Sequence, residues 1–159
     1  MATEKKNVFV IDDGTVEYSI ENNFGQEICK LHIRSGDIGI IDRFEKFTGD
    51  FDDIVEPLKE VDMKNDGTPE ADEKFDNSWK VIKAVEKELI DRINAVFDMQ
   101  DAGKLFETRH AFSSVNGKFY IESVIDMLSK IVTAAIEEEG KKTESRLKKY
   151  TSDLKREKK

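Results

Sequence analysis

The chain holds one cysteine, Cys29, so no disulfide can form within it, which suits a reducing compartment. Its two histidines, His32 and His110, lie far apart in sequence. A zinc site would need the two to meet by tertiary coincidence, and both read as surface or half-buried side chains. No run approaches the roughly 18 consecutive apolar residues of a membrane span. The start, MATEKKNVFVID, lacks the apolar stretch of a signal peptide. Phosphate-cradling glycine loops, the G-x-S-x-G elbow and the dinucleotide fingerprint are all missing. These absences lead to the expectation of a soluble protein of the cytoplasm without membrane partners.

Charge is what the sequence has in plenty. Charged residues make up 38% of the 159 positions and apolar residues another 38%, high and low respectively for a globular domain. A modest core with large solvated faces follows, within the size of one domain. The net charge is −8, which argues against nucleic acid, because that binding rests on Lys and Arg neutralising phosphates. The charge is uneven: residues 140–159 carry +6, leaving −14 on residues 1–139. Among 34 acidic residues no catalytic pair can be singled out, so no catalytic, cofactor-binding or metal-binding residue is assigned and an enzyme is not expected. Asp62-x-Lys64-x-Asp66-Gly67, with Glu73 at the twelfth position, partly resembles a calcium loop. Lys64 puts a cation where the third ligand belongs and Pro69 replaces the usual apolar eighth residue, so it reads as an acidic linker.

Taken in order, the chain predicts an α+β fold: a small N-terminal antiparallel meander of about three strands, then a bundle of three to five helices. Asn7 to Asp12 is β-branched and aromatic, and Asp13-Gly14 suits a tight hairpin turn. Val16, Tyr18 and Ile20 alternate with polar residues, and after an Asn22-Asn23-Phe24-Gly25 turn Cys29, Leu31 and Ile33 do the same. The meander spans 7–33. Ser35 or Asp37 can cap a helix over about 37–61 with Ile38, Ile41, Phe44 and Phe47 on its apolar face. Gly49 and Pro57 predict a break between them. A linker covers 62–72, and a long helix follows over 70–97 with Phe75, Trp79, Ile82, Val85 and Leu89 inward, Trp79 as a core anchor and Pro69 at its start. Ala102 to Glu107 suits a short helix. The last core helix, about 119–139, has the longest apolar stripe and Gly140 as its C-cap. Residues 1–139 then form one domain, and 140–159 a basic tail, helical or partly disordered. In that tail Leu147, Tyr150 and Leu154 recur at helical spacing, as in a segment that orders on a partner.

Several pieces, in order, resemble a family of small proteins from the tail-gene clusters of long-tailed phages and prophages of Gram-positive bacteria, known as tail assembly chaperones. They are QEICKLHI turning through RSGD into DRFEKF, the block INAVFDMQDAGKLFE, then NGKFYIESVIDMLSKI and the ending TESRLKKYTSDL. The INAVF…KLF block and the R-x-x-K-Y-T ending (Arg146, Lys149, Tyr150, Thr151) are the most specific, and residues 62–74 and the surroundings of His110 match least. The resemblance implies a non-enzymatic chaperone of virion morphogenesis in the cytoplasm of the bacterial host cell. It would bind the tape measure protein and recruit tail tube protein, with self-association left open. Arg146, Leu147, Lys149, Tyr150, Thr151 and Leu154 are the partner-binding residues expected on this reading. The alternative is a minor structural tail protein of a phage or prophage.

Overall fold

The computed structural model describes residues 7–34, 36–61 and 67–157, without the side chains of residue 142 and residues 145–157. Two strands, β1 (Val16–Glu21) and β2 (Glu27–Ile33), form an antiparallel hairpin. The register pairs Tyr18 with Leu31 and Ile20 with Cys29, so alternate apolar side chains share one face. The loop closes on Asn22, whose side-chain oxygen accepts the N–H groups of Phe24 and Gln26, with Gly25 at a positive φ of 75°. The fold is therefore α+β, but with two strands in this sheet rather than three. The expected first strand, residues 7–12, takes no part in the sheet.

The first helix, α1 (Ile40–Val55), begins later than 37. Asp37 caps no helix by side chain; its Oδ1 accepts the Gly39 N–H and its Oδ2 holds Arg43 at 2.7 Å. Ile38, expected on the apolar face, precedes the helix and is exposed. Ser35 as a capping residue lies outside the described residues, as do residues 62–66 of the calcium-like loop. α1 passes through Gly49 and tightens at Pro57 into a single 3₁₀ stretch, Glu56–Glu60. The break thus falls at its proline, which cannot donate to the preceding turn.

The long helix α2 (Pro69–Phe97) starts as its sequence predicts: Thr68 Oγ1 accepts the Ala71 N–H and Pro69 follows at the first helical position. Its buried stripe runs Ser78, Ile82, Val85, Leu89, Ile93 and Val96. Trp79 is not a core anchor; one position round the helix from Ser78, it sits at the surface, 36% exposed. The helix ends at Asp98, in a left-handed conformation (φ 50°, ψ 48°) and bonded at 2.7 Å to Arg34. A 3₁₀ turn, Ala102–Phe106, follows. A second hairpin comes next, β3 (Ser114–Val115) and β4 (Lys118–Phe119), turned by Asn116 and Gly117 with φ of 53° and 82°. Two successive positive φ angles are what a two-residue hairpin turn of type I′ demands.

The last helix, α3, does not stop at Gly140. It runs unbroken from Tyr120 to Glu157, 38 residues, about 57 Å at 1.5 Å per residue. A capping glycine adopts positive φ, and Gly140 is not among the positive-φ glycines. A single apolar core joins β2, α1, α2, the 3₁₀ turn and the first half of α3. Leu31, Ile40, Leu89, Leu105, Ile121 and Leu128 are fully enclosed in it.

Candidate functional site

α3 closes the core with Ile121, Val124, Leu128 and Val132, and it leaves a groove on each flank. One lies against β1, lined by Tyr18, Met127, Ile131, Ala134 and Ala135, with Asp126, Lys130 and Glu138 on its rim. Its volume is about 610 Å³. The other lies against α1, lined by Ile41, Phe44, Val132 and Ile136 and rimmed by Glu45 and Glu137. Both are open, apolar at the floor and charged at the edge. That chemistry suits the apolar face of another polypeptide better than a small molecule.

The six sequence-predicted partner residues all fall on the second half of α3, on backbone that the helix carries straight on from the core. Tyr150 follows Val132 by about five helical turns, and Leu154 follows Ile136 by the same interval. The register of the buried stripe is thereby kept along the helix through Leu147, Tyr150 and Leu154. Arg146 comes just before this set in the chain, and Lys149 and Thr151 fall within it. How these six side chains are placed lies outside the described residues. From Glu137 to Glu144 every described side chain is exposed, so the closed core ends near Ile136.

Ion pairs frame the hairpin. His32 lies between Glu17, 3.0 Å from its Nε2, and Asp101, 3.0 Å from its Nδ1. The bond to Asp101 first, then that to Glu17, raises its pKa above the ordinary histidine value, and the same contact lowers that of Asp101. Asp101 also accepts the backbone N–H of His32, tying the outer edge of β2 to the 3₁₀ turn. On α1, Arg43 bonds Val96 O at 2.8 Å as well as Asp37, satisfying a carbonyl at the end of α2. The Arg43 bond first, with that from Gly39, holds the Asp37 carboxyl below its usual value.

Sequence reading missed an aromatic group at the other end of α2. Trp79 meets His110 with ring centroids 5.3 Å apart, and His110 meets Phe112 at 5.9 Å. Phe112 is edge-on to Phe119 at 5.7 Å, and Lys83 Nζ lies 5.3 Å over the indole. His110 Nε2 sits 3.2 Å from Glu86 Oε2 without a hydrogen bond to it, and that oxygen accepts the Ala111 N–H at 2.8 Å. The Asn-Gly turn that brings Phe119 back to Phe112 was the readable signal. His110 is half-buried and His32 more open.

Burial pushes the Cys29 thiol up, away from the reactive thiolate; it packs against the core beneath β2. Burial likewise raises Tyr120, whose hydroxyl donates to Leu105 O. Among the described residues no group of three or more His, Cys, Asp or Glu could hold a metal ion, and no helix is long and apolar enough to cross a membrane. Compared with protein-family models, with curated proteins and with solved structures, the chain finds no match in any of the three.

Proposed function

We propose that the protein is a non-enzymatic tail assembly chaperone of a phage or prophage, which binds the tape measure protein and brings tail tube protein to it. One observation carries the reading. The R-x-x-K-Y-T ending, one of the two most family-like pieces of the sequence, lies on a helix continuous with the core. A client helix laid along α3 would meet an apolar register that starts in the flanking grooves and continues through Leu147, Tyr150 and Leu154. Arg146 and Lys149 beside them supply positive charge for an acidic client, while the −14 of residues 1–139 keeps the complex dispersed.

Co-expression with the tape measure protein of the same gene cluster, followed by pull-down, tests this. The full chain is expected to retain the client. Deletion of residues 141–159, and the triple change Leu147→Asp, Tyr150→Asp, Leu154→Asp, are expected to lose it while keeping the helical circular dichroism of the folded body. Retention by both variants would place the client elsewhere and sink the assignment. Mass spectrometry of finished particles decides between a chaperone, which is absent, and a minor structural tail protein, which is present.

A further inference from the structure

Residues 8–11 present four apolar side chains in a row to solvent. Val8 is 58% exposed, Phe9 95%, Val10 92% and Ile11 84%. Scattered surface apolar residues need no explanation, but a contiguous β-branched and aromatic run does. The segment has the composition of a strand and no strand beside it.

A vacant strand position exists close by. Among the described residues β1 is paired on one side only, with β2. His32 directs its N–H away from β1, to Asp101, so the pair Glu17–His32 is not a hydrogen-bonded one. In an antiparallel ladder Glu17, and by alternation Ser19, then direct their backbone groups to the open edge. Outside the β1–β2 ladder neither has a backbone partner among the described residues. The groove lined by Tyr18, Met127, Ile131 and Ala135 adjoins β1 at Tyr18. A strand added at the open edge would seat alternate side chains, Phe9 and Ile11, in that groove. Asn7 to Asp12 matches the six residues of β1 in length.

The segment's own loop does not bring it there. A two-residue hairpin through Asp13-Gly14 needs positive φ at Asp13, and only Gly14 has it, at 80°. Asp12 and Asp13 instead accept the N–H groups of Gly14 and Thr15, and Asp13 lies 3.9 Å from Arg34. The loop is thus held in a form other than that hairpin, and residues 7–12 do not pair with β1. Charge favours a like chain as the occupant. Lys5 and Lys6 precede the segment, opposite in sign to Glu17 and Glu21 of β1 and to Asp126 and Glu138 on the groove rim.

We propose that two copies of this chain exchange N-terminal strands, residues 8–11 of each pairing with the open edge of β1 in the other and filling its groove. Donor and acceptor are on the same chain, so the exchange is reciprocal and closes at a dimer. It needs no client, and of the two grooves that flank α3 it fills only the one beside β1.

Light scattering after size exclusion, across a protein concentration series, is expected to give a dimer for the full chain. Phe9→Glu with Ile11→Glu is expected to give a monomer with unchanged circular dichroism, because both side chains are exposed in the single chain. Cross-linking identifies the edge. In a Cys29→Ser background, Val10→Cys protein mixed with Ser19→Cys protein is expected to form a disulfide-linked dimer on oxidation, and neither alone to the same extent. A full chain that stays monomeric throughout the series overturns the proposal, even where a tape measure fragment then occupies the groove. So does a dimer that survives the double substitution. A chain carrying both cysteines that links within one copy overturns it too, by assigning the edge to its own segment.

Discussion

At pH 5.5, below the ordinary histidine value, the imidazole of His32 is a cation held between two carboxylates. Its pKa is raised in the folded chain by Asp101 first and Glu17 second, so the folded state binds this proton more tightly than the unfolded state does. The stabilisation is therefore fully present below the ordinary histidine value of about 6.5 and is lost as pH rises through the raised folded value. His32→Gln is expected to lower the melting temperature relative to the parent at pH 5.5, with the gap narrowing by pH 9; a gap that widens with pH would reverse the sign. Gly117, with φ 82° beside Asn116 at 53°, is the other residue whose chemistry is dictated by its place. Gly117→Ala meets no steric neighbour within 4 Å but strains the left-handed backbone, and it is expected to cost about 1 kcal/mol in a urea titration.

Glycine within a helix has the opposite sign. Gly49 and Gly140 both lie inside helices, and an added Cβ at either meets nothing within 4 Å. Gly49→Ala is expected to raise the urea midpoint by the equivalent of about 0.5–1 kcal/mol. Gly140→Ala lies beyond the enclosed core, so its gain should appear in helical ellipticity rather than in the global midpoint. The same residues explain what could be read at the level of elements. The hairpin of β1 and β2 was legible because Val16–Ile20 and Cys29–Ile33 alternate strictly around the Asn22-Asn23-Phe24-Gly25 turn. The start of α2 was legible from Pro69, and the break before Pro57 from the proline itself. Residues 7–12 were misread because β-propensity says that a run fits a strand, not that an edge is within its reach. Gly140 was misread because a glycine ends a helix only when its φ turns positive, and no pattern in the flanking charges reports φ. Trp79 lost its core place to Ser78 by one step round α2, a slip that 3.6-residue periodicity does not resolve for two adjacent positions. The candidate partner surface was legible only as spacing, Leu147, Tyr150 and Leu154. The grooves beside α3 depend on how three elements pack and leave no mark in any one segment.

For the molecule as a whole, charge sets two responses to salt of opposite sign. The chain carries −8 overall, with −14 on residues 1–139, and such a body repels itself when compact. Raising sodium chloride from about 10 to 200 mM shortens the Debye length to below 10 Å and is expected to raise the melting temperature. Client capture through the +6 end is expected to weaken over the same range; a capture that strengthens would mean that the basic end is not the contact. The unbroken course of α3 carries one more consequence, in the lifetimes of its amide protons. In its first half, around Ile121 to Val132, exchange with deuterium must wait for opening of the enclosed core. From Glu137 to Glu144, where every described side chain is exposed, the same ladder of hydrogen bonds has no enclosed core behind it, and amides there and beyond can exchange by fraying from the far end. One helix should thus record a gradient from slow to fast along its length. A client docked on the far half would flatten that gradient, which makes α3 its own reporter of occupancy, read peptide by peptide without a label.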